Sequence, residues 1–364
     1  MKNIIKAIVL FASVISFTSA NAGTLEVTGT AKVTYNMQGS GSTDKVNENG
    51  KEIGITNELA FTGTGEMDNG WTWKYQVELD DNASGNTTSD DSRLELTTGY
   101  GTVAAYNTEG GLSTKYKFSA AAYGAGSDNG DGGNIVYGEA IDSYNNVQYH
   151  TPAGLLPFET SFKFAVAPNS SKKKVSGNSS GQINALGDGD KVYQYQVMTS
   201  PVEGLSLYAS YLEKENEGNT RLQGYQTGGF GGKYAISGFT IGYGEHFVAN
   251  NIDDFTSMTT ATVLNTAALK ASVKGFENQA FSLGYTVNDN LSVSIEREYS
   301  EAQKRTAVGT GDTKANVELE IDTLQAAYTM GGMTMSISQK DLDNVDYVSG
   351  RKGSETLFAV VMAF

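Results

Sequence analysis

The chain ends Glu355-Thr356-Leu357-Phe358-Ala359-Val360-Val361-Met362-Ala363-Phe364. Counting back from the last residue, Phe364, Met362, Val360 and Phe358 are large and apolar. Chain ends are usually solvated, so a soluble domain rarely finishes on a bare aromatic. An apolar row at period two is one face of a strand in an apolar medium.

The other end of the chain suggests which medium. Lys2 and Lys6 form a basic start, Ile8 to Phe17 is an apolar run, and Ala20-Asn21-Ala22 is a small-residue cleavage site. Residues 1–22 therefore read as a secretory signal peptide, with the mature chain starting at Gly23. The apolar run is too short for a membrane anchor, and no later segment reaches the roughly 20 apolar residues of a membrane helix. An exported chain without such a helix can still be a β-barrel, whose strands hide their apolar residues by alternation. The 43 Gly, 20 Tyr, 15 Phe and only 4 Pro suit strands and turns.

Composition excludes several functions. The formal charge of −15 becomes −17 once Lys2 and Lys6 leave with the signal, and nucleic-acid binding needs clustered positive charge. Without Cys there is no disulfide, thiolate zinc site or cysteine nucleophile. No metal site or cofactor motif stands out.

Period-two stretches recur along the whole mature chain. Leu25, Val27, Gly29, Ala31, Val33, Tyr35 and Met37 share one face. Trp71, Trp73, Tyr75, Val77 and Leu79 do the same, as do Phe281, Leu283, Tyr285 and Val287, then Leu291, Val293 and Ile295, then Met333, Met335 and Ile337. Soluble sandwiches also alternate, so the connections decide. Short turns fall near 67–70, 99–101, 151–157, 200–204, 235–238, 287–290 and 330–332. Long polar segments lie between them, near 38–51, 81–91, 107–144, 168–190, 213–222, 249–277, 301–315 and 341–354. This predicts an all-β chain: a transmembrane antiparallel β-barrel of about 16 strands, with long extracellular loops and short periplasmic turns.

Closure follows from physics. In lipid every backbone N–H and C=O needs a partner within the protein, and only a closed barrel leaves no bare edge. The last strand should then pair with the first. Tyr35, Trp71, Tyr100, Tyr149, Phe158 and Phe239 fit interfacial aromatic girdles. Three stretches resist. The apolar phase slips near Ile321–Leu324, which predicts a bulge. Thr266–Gly275 reads as a short helix within a loop. Leu357 and Val361 should face inwards yet are apolar.

Ser92-Arg93-Leu94-Glu95-Leu96 through Gly99-Tyr100-Gly101-Thr102-Val103 resembles the strands that precede the constriction loop in the general Gram-negative porin family. Asn145-Asn146-Val147-Gln148-Tyr149-His150-Thr151-Pro152 resembles the strand that follows that loop. The ending through Phe358, Val360, Met362 and Phe364 is similar to the family's assembly signal. The resemblance spans the mature chain, 23–364. It implies a sixteen-strand barrel in the outer membrane and a homotrimer. It also implies contact with lipid and lipopolysaccharide, handling by the assembly machinery, and small hydrophilic solutes as cargo.

By the same resemblance the third long loop, about 107–144, folds into the lumen as a constriction. It carries Glu109, Asp128, Asp131, Glu139 and Asp142. Its Gly-Ser-Asp-Asn-Gly-Asp-Gly-Gly run at 126–133 lacks the spacing of a calcium loop and reads as flexible or sharply turned. Family members often set an arginine ladder against the loop's acids. Here one such position reads Tyr106-Asn107. Alternation offers Lys32, Lys74, Arg93 and Lys163 as lumen cations, interleaved with Glu58, Glu78, Glu95 and Glu159. The expected transverse field is weak and tilted to acid.

A passive diffusion channel with mild cation preference is the leading reading. An anion-selective variant would need a Lys or Arg ladder, and the scattered lysines, Lys172-Lys173-Lys174 included, supply none. A barrel enzyme would need a nucleophile, a base and an orienting group in reach, with only His150 and His246 as bases. A surface adhesin would show short repeats, which are absent.

Overall fold

A computed structural model describes residues 23–40, 50–81, 87–170, 191–215, 224–249, 273–304 and 316–364. The signal segment 1–22, the lysines at 172–174 and residues 266–272 of the expected helix lie outside these residues. The strands are β1 (Thr24–Ser40), β2 (Gly50–Glu66), β3 (Thr72–Asp81), β4 (Thr87–Thr98), β5 (Gly101–Asn107), β6 (Asn146–His150), β7 (Ser161–Ala167) and β8 (Val192–Val202). They continue as β9 (Leu205–Lys214), β10 (Gln226–Ile236), β11 (Phe239–Ala249), β12 (Val273–Thr286), β13 (Leu291–Lys304), β14 (Val317–Met330), β15 (Met333–Asp343) and β16 (Lys352–Ala363). Each pairs antiparallel with its chain neighbours, and β1 pairs with β16, so the sheet is a closed barrel.

Closure runs to the last residue. Gly29 N–H donates to Phe364 O at 2.8 Å, and Phe364 N–H donates to Gly29 O at 3.0 Å. A Cβ on Gly29 would meet the Phe364 ring at 2.7 Å, so glycine there makes room for the terminal aromatic.

Register sorts the side chains. Thr30, Lys32, Thr34 and Asn36 share the inner face with Ala363, Val361, Ala359 and Leu357. Val33 and Tyr35 point out with Val360 and Phe358. Outward residues such as Ile53, Ile55, Phe230, Ile241, Phe281, Ile295, Ile337 and Met362 stay exposed, forming the apolar band that lipid covers. Aromatics collect near the short-turn rim: Phe239 and Tyr285 lie 4.5 Å apart, and Tyr149 OH donates to Tyr100 O at 2.6 Å.

The structure corrects three expectations. No register shift falls at Ile321–Leu324; among the described residues shifts occur at Val77/Leu79, Thr199/Val202 and Val273/Gly275. Instead Leu319 and Ile321 turn inwards and are buried with Val248, Phe276, Leu342, Val345 and Tyr347. The apolar phase slips because the inner wall there has become a core. Val273–Gly275 opens β12 as strand, not helix. Glu159 lies exposed in the β6–β7 turn, off the lumen wall.

Candidate functional site

The connection 108–145 between β5 and β6 does not stand above the rim. It lies inside the barrel, and the wall binds its backbone with a series of short polar side chains. Gln196 Nε2 donates to Leu112 O at 3.1 Å. Ser210 Oγ accepts from Thr114 N at 3.1 Å, and Ser294 Oγ accepts from Ala122 N at 2.8 Å. Ser282 Oγ accepts from Ala120 N at 2.9 Å and donates to Phe118 O at 2.8 Å. Gln325 Oε1 accepts from Tyr123 N at 2.8 Å. On the return path Asn278 Nδ2 donates to Val136 O at 2.8 Å, and Gln194 Oε1 accepts from Ile141 N at 2.8 Å. A loop has no sheet ladder, so its buried backbone groups need such partners.

Close approach requires glycine in the wall. A Cβ on Gly242 would meet Phe118 O at 1.8 Å, and one on Gly284 would meet Ala120 O at 2.4 Å. The 126–133 run is sharply turned: Gly130 and Gly133 both take positive φ, and a Cβ on Gly130 would strike the Glu355 carboxylate at 2.4 Å.

Four wall residues that sequence reasoning did not single out hold the loop tip. Lys340 is fully buried. Its Nζ lies 2.5 Å from Glu355 Oε2. It also donates to the carbonyls of Gly126 at 3.0 Å, Asp131 at 2.8 Å and Asn129. Glu296 accepts from Gly126 N at 2.7 Å and from Ser119 Oγ at 2.6 Å. Glu298 accepts from Ser127 N at 2.7 Å and from Tyr137 OH at 2.7 Å. Alternation placed all four inwards; what it lacked was any sign that the loop would come to them. Leu357 takes the next inner position on β16 after Glu355, opposite Ser338, and is 5% exposed.

A second segment also folds in. The β15–β16 connection, residues 344–351, buries Tyr347, whose OH bonds Ser300 Oγ at 2.6 Å and accepts from Val136 N at 3.1 Å. Burial pushes the Tyr347 hydroxyl up to about 12. Asp346 N–H donates to Gly133 O at 3.1 Å, joining the two inward segments.

A comparison with protein-family models matches residues 7–363 to the Gram-negative porins. This chain belongs to the Gram-negative porins. A search of curated proteins finds no match. Salmonella typhi OmpF in complex with daunomycin superposes on the porin with a TM-score of 0.63 at 14% identity, over 94% of this chain and 98% of that one. The anion-selective porin from Comamonas acidovorans gives 0.63 at 12%, over 94% and 100%. OmpT of Vibrio cholerae, folded in vitro, gives 0.61 at 12%, over 96% and 100%. At these identities the likeness concerns the fold. Family and barrel together put the porin in the outer membrane.

The charges of the porin lumen are arranged otherwise than the sequence suggested. Of the five loop acids, Asp128 is the exposed one. Glu109 turns to Arg93, 2.9 Å away. Glu139 pairs with Lys214 at 2.6 Å and accepts from Tyr144 OH. Asp131 Oδ1 accepts from Gly133 N at 2.8 Å within its own turn. Asp142 is half-buried beside Gly111. Burial raises the Asp142 carboxyl above its ordinary range, with Lys115 pulling it back. Burial likewise raises Glu109 despite Arg93, because Asp91 and Glu95 add to it.

Lys32, Glu58, Lys74, Glu78, Arg93, Glu95 and Lys163 all point inwards by register. On the β2–β5 wall, Glu58, Glu78, Asp91, Glu95 and Glu109 act on one another around Arg93 and Lys74. Tyr106 OH donates to Glu95 at 3.1 Å. The lysines gather elsewhere. Lys117 stands exposed on the loop and acts electrostatically on Lys163 of β7 and Lys233 of β10, and Lys233 Nζ donates to Ser119 O at 3.3 Å. Sequence reading saw these lysines as scattered; the loop's inward path is what collects them.

His150 bonds Gln148 at 2.8 Å, and His246 is buried 3.5 Å from Thr227 Oγ1. Neither has a carboxylate partner among the described residues.

Proposed function

We propose that the porin is a passive channel for small hydrophilic solutes, divided electrically and mildly cation-preferring. The observation that carries this is the wall β2–β5 with the start of the inward loop against it, where Glu58, Glu78, Asp91, Glu95 and the loop's Glu109 outnumber Arg93 and Lys74. The lysine group Lys117, Lys163 and Lys233 faces the same lumen from the loop and from β7 and β10. A solute crossing bare lipid would shed water at several kcal/mol per polar group. A polar lumen spares it that cost, and unequal charge sets preference.

Glu109, Asp128, Asp131, Glu139 and Asp142 belong to this reading as the loop's acids, with Asp128 the one that meets solutes. The working assembly is a homotrimer in lipid and lipopolysaccharide, delivered after signal cleavage. Phe358, Val360, Met362 and Phe364 are the signal for the assembly machinery. The test is the reversal potential of the purified protein in a planar bilayer under a KCl gradient. A potential of cation sign supports the reading; an anion sign overturns the preference, and absence of stepwise conductance overturns the channel.

A further inference from the structure

From β6 to β12 no Asp or Glu faces inwards among the described residues, while Lys163, Lys214 and Lys233 do. Lys214 is spent on Glu139. Lys163 stands opposite His150 and Gln196, and Lys233 gives a hydrogen bond to Ser119 O. Gln196 and Lys233 hold the loop at Leu112 and Ser119, and Lys117 is exposed on the span between them. Its charge acts on both Lys163 and Lys233. None of the three forms an ion pair among the described residues. The carboxylate that acts on Lys163 is Glu95, which already lies 3.6 Å from Arg93 and accepts from Tyr106 OH. The wall lysines also share a level. Lys163 lies at the start of β7, just after a turn, and Lys233 near the end of β10, just before one. Glu78, Asp91 and Glu109 lie towards the opposite rim, at the long-loop ends of β3, β4 and β5.

We propose that Lys117, Lys163 and Lys233 form a subsite for the phosphate group of a small solute, entered from the short-turn side. Like charges gathered beside a low-dielectric wall raise one another's energy, and an anion among them removes that cost. Lysine binds phosphate as a point charge, and each ammonium offers three N–H donors. A phosphate dianion offsets more of the three positive charges than a single carboxylate does. From the long-loop side the same anion meets Glu78, Asp91 and Glu109 first, and they repel it. The preference of the whole channel is an average over the lumen, so a local anion subsite and a cation-preferring pore are compatible.

The inference rests on the channel reading, and one experiment separates the two. Single channels of the full mature protein carry KCl current while potassium phosphate or potassium methanesulfonate is added to one side. Both anions are tetrahedral oxyanions, and methanesulfonate holds a single charge. Ala153→Cys in the β6–β7 turn supplies the only thiol of the chain, so an impermeant maleimide identifies the short-turn side. From that side phosphate should lower the current with saturation, at concentrations about tenfold below those needed from the other side, as expected where local charge concentrates an ion. Lys117→Gln and Lys163→Met should each raise the phosphate concentration needed by about tenfold, in line with the worth of a charged hydrogen bond, and Lys163→Arg should restore most of the effect. Lys51→Gln removes a lysine that register places on the outer face and should change nothing. Equal action of the two anions, equal action from the two sides, or lysine variants that respond like the parent would each overturn the subsite. The comparisons of anion and side use Ala153→Cys alone, so misfolding of a lysine variant does not obscure them. Absence of any channel steps would instead overturn the reading on which the inference rests.

Discussion

Lys340 Nζ and Glu355 Oε2 lie 2.5 Å apart, and neither side chain is exposed. Taking two ions out of water costs several kcal/mol each, and their attraction repays it only when other bonds complete the shell. Here the other two Lys340 N–H groups are shared among three loop carbonyls, and Glu355 accepts from Asp131 N at 2.9 Å. The pair belongs to the wall, yet most of its bonds end on the loop. Removing either ion therefore unsettles the inward loop before it unsettles the barrel.

For Lys340→Met, Glu355 would be left buried without its cation. Breaking such a pair costs about 3–5 kcal/mol. The expected outcome is a channel with larger, noisier conductance and a lower temperature of loop release, with the double change Lys340→Met/Glu355→Leu milder than the single one. Recordings and thermal denaturation of the three proteins check this. A quiet Lys340→Met channel of parental conductance would refute the latch.

Glu109 gives a pH dependence whose sign is fixed. Its carboxyl is raised above the ordinary 4.5, chiefly by burial, so on acidification it loses its charge before an exposed carboxylate does. That loss frees Arg93 and makes the acidic wall less negative. Cation preference should fall as pH drops from 7 into the range just above 4.5, and Glu109→Gln should remove the early part of that fall. Because the folded form holds this proton more tightly, the same group adds stability as pH falls through the window. Reversal potentials across pH measure the first effect; a profile identical in Glu109→Gln would argue against it.

Gly242→Ala changes packing and adds or removes no charge. The new Cβ would meet Phe118 O at 1.8 Å, and overpacking of this kind costs about 1–3 kcal/mol. The loop has to move off β11, so conductance should change while the barrel still assembles. Gly50→Ala is the control, since no described residue lies within 4 Å of its Cβ. Matching conductances in the two variants would remove the argument for close approach.

Tyr347→Phe deletes the hydroxyl that joins Ser300 to Val136 N, each bond worth about 0.5–1.5 kcal/mol. Tyr347→Ala empties a buried site as well, at about 3–5 kcal/mol by analogy with other aromatic truncations. The expected order of loop stability is parent, then Phe, then Ala, read by proteolysis within 132–137. Equal cleavage of all three would show that the 344–351 segment does not support the inward loop.

Much of the barrel was legible because lipid and lumen impose opposite demands on alternate residues. Val33, Phe358 and Ile337 are apolar for the same reason that Thr34, Gln339's neighbour Lys340 and Ser338 are not. That rule stops where the lumen stops being water. Leu319 and Ile321 broke phase because a folded-in loop had replaced solvent. The latch was unreadable for a related reason. Glu296, Glu298 and Glu355 look like any lumen acids until the loop's backbone arrives to occupy them. A usable signal was present in the strand-interior glycines Gly242 and Gly284, which mark close approach of another backbone.

The bonds between Gly29 and Phe364 have a consequence in time. β1 finds its second neighbour only when β16 has formed at the far end of the chain. Until then β1 and β16 each present an unpaired edge, the kind of surface that invites pairing with other chains, and the contact that removes both is the most non-local one the chain contains. The pore therefore comes into being in one late event, and an unfinished copy has no intermediate degree of being sealed.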